Sequence, residues 1–254
     1  MYDTYQDFYA AVEISPVFHQ FCEEVYGADF SQDGFSDIRE ISDVLKKAKI
    51  SDTSTVLDIG CGNGKMCEYI HDQTGAEVWG YDYSDAAIQY ARRRTAAKKE
   101  KLRFDVGIIG DMEYPDASFD TVLSIDTIYF TSEPEQVIRQ ARSFLRPAGM
   151  FIVMYGAFDF SETGMESDKT KFGKAVSAVG LPFEAVDYTN SFYALMRRKH
   201  ETAMKLETAF SKEGLQRFQE RLLRESIDPA MSFNDFQKHF RRYMYIIQKQ
   251  EARS

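Results

Sequence analysis

Cysteine is scarce in this chain of 254 residues: there are three, Cys22, Cys61 and Cys67, with no C-x-x-C spacing. An odd count without paired spacing argues against a disulfide framework or a zinc ribbon, and points to a reducing, cytoplasmic setting with no metal. Histidine is nearly as rare. His19, His71, His200 and His239 all lie away from the strand-end motifs described below, so each reads as a surface or helix residue, with His200 the one to test as a base. The six prolines are scattered, so no linker is announced, and repeats and low-complexity tracts are absent. No apolar run approaches the ~18 residues of a membrane span, and the N-terminus lacks a basic region followed by an apolar core. Positive charge is also short: 31 Lys and Arg stand against 40 Asp and Glu, a net charge of -9. That sign opposes nonspecific attraction to nucleic acid, which rests on neutralised phosphates. The basic runs Arg92-Arg93-Arg94 and Arg197-Arg198-Lys199 read as solvated helix faces. Neither a nucleic-acid nor a membrane partner is expected, and the length suits one α/β domain with an insertion.

What is present is an alternation. Strand-like runs at Thr55 to Ile59, Glu77 to Asp82, Leu102 to Val106, Phe119 to Ile125 and Met150 to Tyr155 are mostly separated by helix-length segments. That rhythm predicts a mostly parallel, Rossmann-like doubly wound sheet with helices on both faces. Upstream, Ser15-Pro16 is a helix-start signal; Phe18, Phe21, Cys22 and Val25 fall on one face, and Gly27 stops the helix. A second helix carries Phe35, Ile38, Ile41 and Leu45 on its apolar side. Downstream, Phe183 to Tyr188 reads as a sixth strand, followed by helical stretches at Phe192 to Phe210, Glu213 to Glu225 and from Ser232, then a last strand at Tyr243 to Lys249. The expected organisation is a single domain: an N-terminal helical lid over 1–50, a core over 51–189, a helical cap over 190–240, and the last strand and tail over 241–254.

The stretch Val56-Leu57-Asp58-Ile59-Gly60-Cys61-Gly62-Asn63-Gly64-Lys65, with Asp82 22 residues after Gly60, reads as strand, glycine turn, helix start and a second strand ending in an acid. A dinucleotide fingerprint from Gly60 needs a third glycine where Lys65 stands, and a phosphate loop needs a G-K-[ST] that is absent. The fitting pattern is acid-x-G-x-G-x-G, whose glycines let the backbone approach a ligand that a Cβ would obstruct.

This segment resembles motif I of the class I S-adenosylmethionine-dependent methyltransferases, and the resemblance extends through most of the chain. It implies seven strands, the last one antiparallel, and an N-terminal segment that closes over the cofactor. By that resemblance Gly60, Cys61, Gly62 and Gly64 line the S-adenosylmethionine site, with Asp58 or Asp126 meeting the ammonium of the amino-acid tail. Asp82 would accept from the ribose diol, with Tyr83 against the adenine. Gly110-Asp111-Met112 matches the position where an acid meets the adenine amino group and the next amide reaches the ring. Ser124-x-Asp126 points a carboxylate into the same crevice.

Acceptor features are sparser. The N-P-P-Y tetrapeptide of nucleic-acid and protein amine methyltransferases is missing, since the chain reads Asp126-Thr127-Ile128-Tyr129. The overall look is similar to small-molecule amine methyltransferases of the phosphoethanolamine and sarcosine/dimethylglycine type, through Tyr26-Gly27-Ala28-Asp29-Phe30-Ser31 with Gly34, through Ser124-x-Asp126 and through the helical insertion. Ser31 is carried to the cofactor site on that basis. Those enzymes often place a histidine four residues after the acid, where this chain has Phe130. The sequence expectation is transfer to a small molecule, at a nitrogen, by in-line displacement, with Asp126 and Tyr155 as catalytic candidates. Tyr9, Tyr129, Tyr155 and Tyr193 are expected around the acceptor, as is Tyr5 at the mouth, because aromatic faces suit a cation. Methylation at oxygen or carbon of a quinone, sterol or polyketide-like metabolite is the alternative, and a noncatalytic cofactor-binding subunit is a third reading.

Overall fold

The computed structural model describes residues 2–250, and side chains from residue 7. The chain opens with α1 (Tyr2–Val12), a helix that no sequence signal announced. Next comes α2 (Pro16–Tyr26), capped by the Ser15 hydroxyl, which accepts from the Phe18 amide at 3.2 Å, and ended by Gly27 at φ 78°. The third helix, α3 (Ile38–Ala48), begins later than its apolar pattern suggested because Asp37 caps it, accepting from the amides of Arg39 and Glu40. Phe35 therefore lies in the preceding loop.

The core alternates as expected: β1 (Thr55–Ile59), α4 (Lys65–Thr74), β2 (Glu77–Asp82), α5 (Asp85–Arg94), β3 (Leu102–Val106), β4 (Phe119–Ile125), α6 (Pro134–Phe144) and β5 (Leu145–Phe158). The first four strands coincide with their sequence runs: β1, β2 and β4 are largely buried on both faces, while β3, at the sheet edge, alternates. The fifth is longer at both ends than the run Met150 to Tyr155. It pairs antiparallel with the last strand from Met150 opposite Gln248 to Phe158 opposite Phe240. After α7 (Lys171–Ala178) and β6 (Glu184–Asp187) come four helices: α8 (Thr189–Lys205), α9 (Glu207–Lys212), α10 (Gln216–Arg224) and α11 (Phe233–His239). The strand β7 (Phe240–Gln248) closes the series.

The seven strands lie in the order β3-β2-β1-β4-β5-β7-β6, with only β7 antiparallel to its neighbours. The order reverses between β1 and β4, which opens a crevice at their carboxyl ends. Leu57, Val122, Phe151, Val153 and Tyr245 pack on one face beneath α6 and α7, while Val56, Leu123, Ile152 and Met244 pack on the other beneath α3 and α4. A separate aromatic core, with Phe8, Phe18, Phe21, Phe192, Phe210 and Phe236, joins α1 and α2 to α8 through α11. The crevice thus lies between a rigid sheet and a helical layer. Among the described residues no helix is long and apolar enough to cross a membrane.

Candidate active site

The crevice holds a cavity of about 110 Å³ lined by Asp58, Gly60, Cys61 and Gly62 from β1 and its turn, Asp82 and Tyr83 from β2, and Ile125, Asp126 and Thr127 from β4. Tyr9 of α1, Ser31 to Gly34, and Ile109 complete much of its wall. Most of the residues singled out for a cofactor in the sequence are therefore brought together here.

Asp58 is buried, and the Cys67 thiol donates to its carboxylate at 3.4 Å. Burial pushes its carboxyl up to about 7; the thiol pulls back weakly, and the charge of Asp82 adds to the rise. Asp82 accepts from the Gly62 amide at 2.9 Å and the Ser84 amide at 2.8 Å. Burial raises its pKa, and these amides oppose the rise. Two nearly dry carboxylates face one small cavity. Such a wall favours a ligand that brings positive charge and hydroxyl donors. Tyr83 and Ile109 offer flat and apolar sides for a ring. Burial also pushes the Cys61 thiol up to about 11, which keeps it neutral.

Ser31, with φ 46°, bonds Asp29 through both its amide and its hydroxyl, and Lys65 Nζ reaches Asp29 at 2.6 Å and Ser31 at 2.7 Å. Ser31 thus ties the loop before α3 to the start of α4 as it lines the crevice.

The glycines serve closer packing than a ligand alone would require. A Cβ on Gly62 would lie 2.1 Å from the Tyr9 hydroxyl, so Gly62 is where α1 touches the turn. Gly64 corrects its expected place: it does not line the cavity, and a Cβ there would meet the Phe104 ring at 2.5 Å in the core. Its φ of 72° sets the start of α4.

Asp126 needs the largest correction. One of its oxygens accepts from the Phe35 amide, the Ser36 hydroxyl and Arg242, and the other accepts from Tyr129 and Arg242, at 2.8 to 3.1 Å. Those five donors exceed the ~4 lone-pair sites of a carboxylate. Although burial works upward, Arg242 holds Asp126 below the usual carboxylate range. Its backbone sits at φ 57°, a strained left-handed conformation for a residue with a Cβ. Asp126 is consequently a tie between β4, the loop before α3 and β7, and has no capacity left for a proton or an ammonium. Arg242, fully buried and also paired with Glu40 at 2.8 Å, went unnoticed in the sequence. Its signal is a charge sharing a strand face with Met244 and Ile246, both buried.

Asp111 is exposed and does not line this cavity, and its amide bonds the Ile108 carbonyl at 3.0 Å. Met112 is buried in the sheet core, leaving Ile109 as the residue of this loop that reaches the crevice.

A second cavity, of about 1120 Å³, adjoins the first and shares Asp33, Asp126 and Phe130 with it. Its inner wall is aromatic, with Phe35, Tyr129, Tyr155, Phe158 and Phe172, and its outer wall carries Glu162, Lys171, Lys174, Arg224 and Glu225. Tyr129 and Tyr155 stand together here with ring centroids 5.3 Å apart. The Tyr155 hydroxyl donates to Glu162. Tyr193 is a correction: its hydroxyl donates to the Met231 carbonyl at 2.6 Å, its ring packs on Phe233 and Phe236, and it lines neither cavity. Tyr9 lines the smaller cavity and is absent from the larger one. The side chain of Tyr5 lies outside the described residues. None of the four histidines lines either cavity; His200 sits behind Ser226, with Nδ1 3.1 Å from its hydroxyl.

A family model described as a methyltransferase domain matches residues 50–218. Methyltransferase GfsG of Streptomyces halstedii is 30% identical over 127 residues, covering 48% of this chain and 46% of that protein. The phosphoethanolamine N-methyltransferase of Plasmodium falciparum is 26% identical over 156 residues, 61% of this chain and 56% of that one. The chain therefore spans about half the length of these curated relatives. Among solved structures, phosphoethanolamine N-methyltransferase 2 of Haemonchus contortus, in complex with phosphomonomethylethanolamine and S-adenosylhomocysteine, superposes with a TM-score of 0.71. The identity is 18%, covering 97% of this chain and 60% of that one.

Proposed function

This chain belongs to the methyltransferase domain family, and from that premise we propose that it transfers a methyl group from S-adenosylmethionine to a small-molecule acceptor, at a nitrogen. The observation that carries the reading is the crevice wall, where Asp58 is buried against the Cys67 thiol and lies beside Asp82. Bound there, the cofactor supplies a methyl group on a positively charged sulfur, already activated for displacement. Asp58 would meet its cationic end, and Asp82, each of whose oxygens takes a backbone amide, would accept from the ribose hydroxyls through its remaining lone pairs. Tyr83 and Ile109 would hold the adenine. The Gly60 turn and Met66 would bound the amino-acid tail.

Alignment supplies much of the rate in an in-line displacement, so the residues at the junction of the two cavities matter most. Tyr129 and Phe130 form the chamber side of that junction, and Arg242 fixes Tyr129 through Asp126. Aromatic faces and acids suit an amine. The chamber's volume also favours a second reading, a bulky apolar acceptor methylated at oxygen or carbon. Continuity between chamber and crevice weighs against a noncatalytic subunit. In this reading residues 1–50 act as lid, 51–189 as core, 190–240 as cap, and 241–254 as the last strand and tail, of which 251–254 lie outside the described residues. The three buried free thiols support a cytoplasmic setting, and the acidic charge supports the exclusion of nucleic acid.

Calorimetry with S-adenosylmethionine tests the cofactor. Wild type is expected to bind and Asp82→Ala to bind at least about tenfold more weakly, the loss of one charge-assisted hydrogen-bonding group; equal binding by the two proteins rejects the site. A panel of amines, amino acids and phenols, read by S-adenosylhomocysteine formed, distinguishes the acceptor classes.

A further inference from the structure

We propose that Tyr155 and Glu162 form a proton relay for the methyl acceptor, with Glu162 as the final proton holder. The proposal rests on the methyl-transfer reading and deepens it by assigning the base that the sequence did not supply. An amine is protonated near neutral pH and has no lone pair to give until that proton has left. The chamber must therefore offer an acceptor for it. No histidine lines the chamber among the described residues, and Asp126 is saturated by five donors. Asp33 is held by Arg221, and Glu225 bonds both Arg221 and Lys199.

Glu162 differs in having a phenol aimed at it. Tyr155 stands at the carboxyl end of β5, fixed by stacking on Phe172 at 5.7 Å and by contact with Tyr129 at 5.3 Å. Its hydroxyl donates to Glu162 Oε1, while Glu162 Oε2 accepts from the Lys171 amide at the start of α7. Both carboxylate oxygens are thus anchored; the Tyr155 oxygen itself accepts from the Phe172 backbone amide, which leaves it one lone pair for an acceptor N–H. Tyr129 connects this pair to the cavity junction, because its own hydroxyl is held on Asp126 at 2.8 Å.

The step balances. The nitrogen lone pair forms the new bond to the methyl carbon, and the carbon–sulfur pair stays on sulfur as a neutral thioether. The nitrogen's proton passes to the Tyr155 oxygen as the Tyr155 proton passes to Glu162. Burial first, and then Glu162, raises the Tyr155 pKa, so the phenol carries the proton onward and does not store a negative charge. The groups beside Glu162 are Tyr155 of β5, Tyr245 of β7 and Lys171 and Lys174 of α7; Asp33, Asp126, Glu135, Arg221, Arg224 and Glu225 line the same chamber. Glu162 acts through Tyr155, which makes it a positioning and proton-holding residue.

The test uses the whole chain and whichever panel compound it methylates, comparing wild type, Glu162→Gln, Glu162→Asp and Tyr155→Phe at one pH. Glu162→Gln should lower kcat about 100-fold, with KM for S-adenosylmethionine and calorimetric binding of S-adenosylhomocysteine unchanged; Glu162→Asp should restore part of kcat. Unchanged kcat in Glu162→Gln overturns the relay, as does a loss seen with Glu135→Gln in its place. If Glu162→Gln fails to bind S-adenosylhomocysteine, Tyr155→Phe decides by the same kcat criterion. Wild type that binds cofactor and methylates nothing in the panel overturns the methyl-transfer reading, and the relay with it.

Discussion

Asp58 shows how one side chain can make cofactor binding depend on pH. Its carboxyl, held up at about 7 by burial, keeps a proton in the folded chain that the unfolded chain has lost. Folding stability therefore falls as pH rises from about 4 to about 7 on account of this group, the reverse of the usual carboxylate pattern. A ligand carrying positive charge favours the ionised form. S-adenosylmethionine should thus bind with proton release near pH 6, and its affinity should rise by up to about tenfold per pH unit until it levels off above 7. Calorimetry in buffers of different ionisation enthalpy measures the protons released, and Asp58→Asn should abolish the pH dependence along with much of the affinity. The variant is needed because Glu40, which burial pushes up to about 7 against the pull of Arg242, titrates over the same range. A pH dependence that survives in Asp58→Asn assigns the proton to another group. The places of Asp58 and Asp82 on the crevice wall were legible in the sequence because they depend on local chain geometry, the end of a strand beside a turn. Asp126 was legible as a position and misread as a role, since its partners Phe35, Ser36 and Arg242 lie 90 to 116 residues away.

At the scale of elements, β7 does more than complete the sheet. Through Arg242 it binds Glu40 of α3 and Asp126 after β4, and thereby fixes the wall that separates the two cavities. Arg242→Met leaves two buried carboxylates without their cation, which should cost about 3–5 kcal/mol; urea unfolding measures it. The triple variant Arg242→Met, Asp126→Asn, Glu40→Gln should recover part of that loss, because no unpaired charge remains buried. A triple variant as unstable as the sum of its parts would mean that packing, and not charge, holds the wall. The strands and capped helices were legible element by element: Ser15-Pro16 and Ser232 start their helices where their side chains cap them. Two elements were not. The stretch from Phe192 divides at Leu206 into α8 and α9, with neither proline nor glycine to mark the break. No sequence signal announced α1, whose buried Phe8, Tyr9 and Val12 join a core shared with α2, α5 and α10.

For the molecule as a whole, the contrast between the cavities implies an order of events. The crevice encloses about 110 Å³, below the ~300–1,000 Å³ of small-molecule sites, while the adjoining chamber encloses about 1120 Å³. A nucleoside-sized ligand can enter the crevice only if its cover moves. That cover includes Tyr9, which sits directly over Gly62, and α1 meets α2 at a two-residue turn, Glu13-Ile14, whose Ile14 is 78% exposed. Phe8 holds α1 to Phe18 of α2 and Phe218 of α10, and α1 also packs against α5. Bound cofactor should shift such a cover towards the closed state. Amide hydrogen exchange in α1 should slow by about tenfold or more at saturating S-adenosylhomocysteine, the protection expected when opening requires release of the ligand. Tyr9→Ala should raise both the association and the dissociation rates of S-adenosylhomocysteine, seen by stopped-flow fluorescence, because it loosens the cover in both directions. If α1 exchanges at the same rate with and without ligand while the strands are protected, entry occurs from the chamber side, past Phe130, and acceptor and cofactor would then compete for one opening.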